Sequence, residues 1–221
     1  MKRKTNIFIC LIFFIVLFTA TGISNAAYLL LPVPYTQQEH SNWCWAGSSK
    51  AIINYYGLGA NECDMANYSF GRGDCCGNTT FNWSSSCNSG NDFVPIQNVL
   101  TRYGIANFGN AALSKAQVIS EIKAGRPFEM MWNWTNGSGQ GHAMVVRGYT
   151  EDGNYLDYMD PWPGNGFQRS VYDWVVGGPA SGVYSSSHVW AGSVTTYVPT
   201  AGIGLKWLQL GAAPGAAIST S

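Results

Sequence analysis

The stretch "NWCWAGSS", residues 42–49, decides how the rest of the chain is read. It sets a cysteine between two tryptophans at the head of a helical pattern. Ser41 is a good N-cap in front of it, and Gly57 is a good stop behind it. Between them Trp45, Ile52 and Tyr56 fall on one helical face, while Ser48 and Ser49 are small enough for close packing. A first helix is predicted here, with Cys44 in its first turn. Cys44 is then a half-cystine, a buried filler, a metal ligand or a nucleophile.

The remaining cysteines narrow that choice. Lys2, Arg3 and Lys4 precede an apolar run from Ile7 to Ala20, and Ser24-Asn25-Ala26 offers small residues for cleavage. Residues 1–26 therefore read as a secretion signal, too short in its apolar part for the roughly 20 residues of a spanning helix. Removing it takes Cys10 with it and leaves Cys44, Cys63, Cys75, Cys76 and Cys87. In an oxidising compartment an odd cysteine is a free thiol or an intermolecular partner. Four of the five crowd into 63–87, a Gly-, Asn- and Ser-rich loop that cross-links would hold together. Two pairings are open: Cys63–Cys75 with Cys76–Cys87, or Cys63–Cys76 with Cys75–Cys87. Zinc is the rival reading, but adjacent cysteines lack the usual C-x2-C spacing, and no metal or other cofactor is expected. Cys44 is the one left over.

Charge excludes one class of partner. The chain carries 12 Lys+Arg and 12 Asp+Glu; without the three basic residues of the signal its net charge is −3. No basic stripe remains, so nucleic acid is not an expected partner, and no membrane contact is expected after signal cleavage. Residues 27–198 are long enough for one domain with a real core.

Downstream, Ile96, Val99, Leu100 and Tyr103 recur at helical spacing and stop at Gly104. Ser114 and Gln117 form a capping box, with Leu113 and Val118 as a hydrophobic staple, for a third helix running to Gly125. Strands are predicted at 128–134, 143–149 and 154–160, the last two joined by a turn at 151–154 into an antiparallel pair. Further strand-like pieces cover 167–176 and 189–198. Helices first and strands second make an α+β fold, with the Cys44 helix packed on an antiparallel sheet. The order of the tail 199–221 is not legible.

A thiol becomes a strong nucleophile only as thiolate, which a helix N-terminus and a paired histidine both stabilise. His142, in "GQGHAMVVRGY", is the best partner among His40, His142 and His188, and its flanking glycines would let a substrate backbone approach. A third group must orient the imidazole. If 151–154 closes a hairpin, Asp160 falls beside His142; Asp157 is the rival, away from the strand end. The Cys44 N–H supplies one oxyanion donor and the Gln38 side chain a second, with Gln37 as the alternative. Trp43 and Trp45 are expected to pack and to wall the cleft.

These residues resemble the papain-like cysteine peptidases. "QEHSNWCWAGSSKAIINYYG", "GHAMVVRGY" and "MDPW" are most similar to the bacterial branch with secreted effector peptidases and, more distantly, bacteriocin leader-processing peptidases. The resemblance spans roughly 33–195. It implies the order Gln38, Cys44, His142, Asp160, with the aromatic Trp45 after the nucleophile. Asn42 and Trp43 replace papain's Gly-Ser, and the third member is Asp, so papain's preferences are a poor guide to substrate. Papain-style control by a propeptide is not expected.

The expectation is a secreted cysteine endopeptidase, extracellular with the periplasm as the alternative, acting on polypeptides through a Cys44-His142-Asp160 triad and a thioester acyl-enzyme. Amide transfer or deamidation would use the same triad. A non-catalytic secreted binding module with this fold is the alternative of another class.

Overall fold

A computed structural model of the chain describes residues 28–177 and 187–197, and the backbone of 208–210. The expected export segment 1–26 and most of the tail 199–221 lie outside the described residues. The elements run β1 (Tyr28–Leu30), α1 (Cys44–Tyr55), α2 (Glu62–Phe70), α3 (Phe93–Arg102), β2 (Ala106–Asn110), α4 (Lys115–Lys123), β3 (Phe128–Trp134), β4 (Gly141–Thr150), β5 (Tyr155–Asp160), β6 (Gly166–Val171), α5 (Tyr172–Val176), β7 (His188–Tyr197) and β8 (Leu208–Leu210). The architecture is α+β with an antiparallel sheet, as the order of patterns predicts.

The sheet runs β2-β7-β3-β4-β1-β8, and β5 joins β4 to β6. β4 is the hub, pairing with β1, β3 and β5. α1 lies on β3 and β4, α3 on β2 and β7, and α2 packs against both α1 and α3. The core explains why α1 is the organising helix. Trp45, Ala46, Ala51, Ile52 and Ile53 are buried, and Ser48 and Ser49 are fully buried beside them. Small side chains let the helix axis approach the sheet closely, while the large ones fill the space on either side.

The strand-like piece expected over 167–176 is strand only to Val171 and helix from Tyr172, and two further boundaries shift for physical reasons. Ser41 is not the cap of α1; the helix begins after Trp43, whose side chain makes no capping bond. The Ser41 hydroxyl instead accepts from the Asn88 amide. The cysteine-rich segment is not all loop, because α2 occupies its first part. Its two bridges are Cys63–Cys76 and Cys75–Cys87, the second of the two open pairings. The α4 capping box forms as predicted, Ser114 accepting from the Gln117 N–H and Gln117 answering at the Ser114 N–H. β1 and β2 were not expected. Both are short, and neither carries the alternation that marks a half-buried strand.

Candidate active site

Cys44 is the first residue of α1 and is half-buried; among the described residues it is the free cysteine. At that position it faces the unsatisfied N–H groups and the positive end of the helix.

His142 arrives from the second position of β4. In the pairing of β4 with β5, Val145 lies opposite Met159 and Val146 opposite Tyr158. Continuing that register sets Asp160 opposite Met144, so His142, two residues away, shares its face. The Nε2 of His142 is 2.7 Å from Asp160 Oδ1. With Nε2 so engaged, Nδ1 is the ring nitrogen left for Cys44, which lies near enough to help hold a proton on the ring. Burial works against a charged imidazole. The hydrogen bonds and charges of Asp160 and Cys44 outweigh it and raise His142 from 6.5 to about 10.

Asp160 is itself well supported. Its Oδ1 also accepts from the Trp162 N–H at 2.9 Å, and its Oδ2 accepts from the Asn165 amide at 2.8 Å. Burial opposes its charge, but His142, Trp162 N–H and Asn165 together hold the carboxyl below the ordinary carboxylate range. The His142 ring lies between Trp134, nearly parallel at 6.4 Å, and the edge of Trp162, also at 6.4 Å. Asp157 sits an odd number of residues from Asp160, so it points to the opposite face. There it holds Arg169 through two bonds of 2.9 Å. His40 is buried and bonded through Nδ1 to the Thr80 carbonyl, and His188 is stacked on Trp132 with its Nε2 at the Trp174 carbonyl.

Gln38 is buried, and its backbone N–H donates to the Pro161 carbonyl at 2.8 Å. This ties the segment carrying Gln38, between β1 and α1, to the residue after Asp160. Its side-chain amide donates to the carbonyls of His40, at 2.8 Å, and Ser41, at 3.0 Å. Both amide protons are thus engaged just ahead of Cys44, and reaching an oxyanion requires one of them to be released. Gln37 is exposed and pairs with the Tyr35 hydroxyl.

Other residues differ from expectation. The indoles of Trp43 and Trp45 are buried and donate to the carbonyls of Cys87 and Ser89, so they anchor α1 and do not wall a cleft. A Cβ on Gly141 would run into the Trp132 carbonyl oxygen, so this glycine serves the close β3–β4 approach that delivers His142.

Two buried acids went unread. Glu129 on β3 is fully buried and accepts from Ser49 Oγ on α1 at 3.2 Å; burial, opposed by that bond and reinforced by Cys44, pushes its carboxyl well above the ordinary range. A lone acid inside the apolar run "FEMMW" was the signal for it. Glu62 accepts from the Glu39 N–H at 2.9 Å, next to Gln38, and burial raises it from 4.5 to about 7. Asn165 was legible only as part of the turn "DPWPGNG".

A helix headed by a cysteine, packed on an antiparallel sheet that brings a histidine and a carboxylate to its N-terminus, defines the class of papain-like cysteine peptidases. The chain belongs to the Peptidase_C39 like family, whose model matches residues 30–188. It is a cysteine peptidase by family. A C39-like peptidase from Bacillus anthracis superposes with a TM-score of 0.55 at 17% identity, covering 78% of this chain and 98% of that one. The peptidase domain of Streptococcus ComA, a bifunctional ABC transporter, gives 0.51 at 14% identity, covering 74% and 98%. A double glycine motif protease from an AMS/PCAT transporter, solved with its leader peptide, gives 0.48 at 14%, covering 78% and 99%. No curated protein matches by sequence.

Proposed function

We propose that the chain is an exported cysteine endopeptidase that hydrolyses polypeptides through Cys44, His142 and Asp160. The observation that carries this reading is the His142 ring, held at Nε2 by Asp160 and near enough to Cys44 at the start of α1 for the two to interact electrostatically. Asp160 fixes the ring and stabilises the imidazolium. His142 takes the Cys44 proton, and the thiolate adds to the peptide carbonyl. The oxyanion is held by the Cys44 N–H and by Gln38, whose amide turns from the Ser41 or the His40 carbonyl. His142 then protonates the departing amine, and water, deprotonated by His142, releases the acid from the thioester. Membership of a peptidase family supports a polypeptide substrate; export rests on residues 1–26.

The test is turnover of a peptide library by the wild type and by Cys44→Ala. A methyl fits where the thiol sits, so the variant folds and loses cleavage. Cleavage retained in the purified variant would remove Cys44 from the mechanism. Product analysis with an added amine separates hydrolysis from amide transfer, since both share the acyl-enzyme.

A further inference from the structure

The residues that flank Cys44 are fastened, one after another, to the cysteine-bridged segment. His40 Nδ1 meets the Thr80 carbonyl at 2.8 Å, and the Ser41 N–H donates to the Phe81 carbonyl at 2.8 Å. The Asn42 N–H donates to Asn88 Oδ1 at 2.9 Å, and the Asn42 amide to the Asn88 carbonyl at 2.8 Å. The Trp43 and Trp45 indoles donate to Cys87 and Ser89 carbonyls at 2.7 and 3.1 Å.

Asn88 is the centre of this clasp. It is 8% exposed, and its amide nitrogen donates to Ser41 Oγ and to the Trp83 carbonyl, both at 3.0 Å. Its acceptor, its amide group and its own carbonyl are therefore all engaged, three of the four bonds going to Ser41 and Asn42. The next residue back, Cys87, is bridged to Cys75. α1 has no side-chain cap of its own, and the segment from 80 to 89 instead fixes the residues that lead into its first turn, through Ser41, Asn42 and the two indoles.

We propose that Asn88, anchored by the Cys75–Cys87 bridge, is the positioning residue of the nucleophile: it sets where Ser41 and Asn42 lie and hence where Cys44 meets His142. This rests on the reading of Cys44 as the nucleophile. Asn88 touches no reacting atom. Its effect is transmitted through two residues of backbone, and misplacement of a reacting group by about 1 Å costs ~100-fold in rate.

The full chain is purified as wild type, Asn88→Ala and Ser114→Ala. Ser114→Ala removes the α4 cap, far from Cys44, and serves as a control for lost stability, about 1 kcal/mol. Three quantities are read: kcat and KM on a cleaved peptide, and the rate of Cys44 alkylation by iodoacetamide at pH 6, followed by peptide mass mapping. In Asn88→Ala, kcat falls by ~100-fold with KM within about threefold. Its alkylation slows in parallel, and the profile of alkylation against pH moves upward; Ser114→Ala changes neither. Should Asn88→Ala not fold, Asn88→Asp, which keeps the acceptor for the Asn42 N–H, replaces it and slows alkylation by ~10-fold. Fast alkylation in the wild type with the same rate in the folded Asn88 variant overturns this inference and leaves the peptidase reading standing. Slow alkylation at pH 6 in the wild type overturns both.

Discussion

His142 Nε2 and Asp160 Oδ1 stand 2.7 Å apart because the β4–β5 register puts both residues on one face of the sheet. The same period of two sends Asp157 to the other face, where Arg169 takes it.

The first prediction follows from that division. His142→Ala removes the base and the partner of the thiolate, so its loss in kcat/KM approaches that of Cys44→Ala. Asp160→Ala leaves the imidazole in place but free to turn; removing such an orienting group costs up to ~10⁴-fold, and the thiolate–imidazolium pair softens it. Asp157→Ala keeps near wild-type kcat/KM and loses about 1 kcal/mol of stability, since Arg169 is partly exposed. Steady-state kinetics and denaturant melts of the three variants check the order.

A second prediction concerns pH. His142 holds its proton to about 10, so the acid that protonates the departing amine is lost only there. As its native value lies above 6.5, its contribution to stability is complete below 6.5 and is lost as pH rises through about 10. The alkaline limb of kcat/KM is expected near 10, where His142 gives up its proton. A limb centred near the ordinary histidine value would show that Asp160 and Cys44 do not hold the ring.

Glu62 gives a prediction of opposite sense. Its native carboxyl is raised to about 7, so between 4.5 and 7 the folded chain keeps a proton that the unfolded chain releases. Stability therefore falls as pH rises through that window, by at most roughly 3 kcal/mol. Glu62→Gln removes this slope and is more stable than wild type at pH 8, with little difference at pH 4. Urea melts at the two pH values measure it.

How much was legible depended on how local the signal was. The α4 cap was readable because Ser114 and Gln117 are three residues apart. The facing of His142 and Asp160 followed from one tight turn and a period of two. Ser41 was misread because its hydroxyl is taken by Asn88, a partner 47 residues away that no local rule reveals. Gln38 was placed by its spacing from Cys44, but its engagement with the His40 and Ser41 carbonyls depends on chain curvature that spacing does not encode. Glu129 and Glu62 needed burial to be seen as perturbed groups.

Gly47 offers a fourth prediction. A Cβ there would lie 3.0 Å from Pro161 Cβ and 3.3 Å from Gln38 Cα, a ring and a backbone that give little. Gly47→Ala gains about 1 kcal/mol in helix propensity and loses ~1–3 kcal/mol to overpacking, a net loss of about 0–2 kcal/mol that lowers Tm by a few degrees at most. Its activity falls by about tenfold, because the intrusion parts Gln38 from the segment after Asp160 and misplaces an oxyanion donor. Comparison of Tm with kcat for this variant checks the split.

Cys44, as nucleophile, carries the acyl group between two half-reactions. An activated ester of a short peptide is mixed with the full chain, quenched in acid within the first turnover, and mapped by mass spectrometry. The acyl mass is expected on the peptide containing Cys44, released again on longer incubation, and absent in Cys44→Ala. An enzyme that turns over this ester with no acyl adduct at Cys44, or with the adduct on another residue, would contradict it.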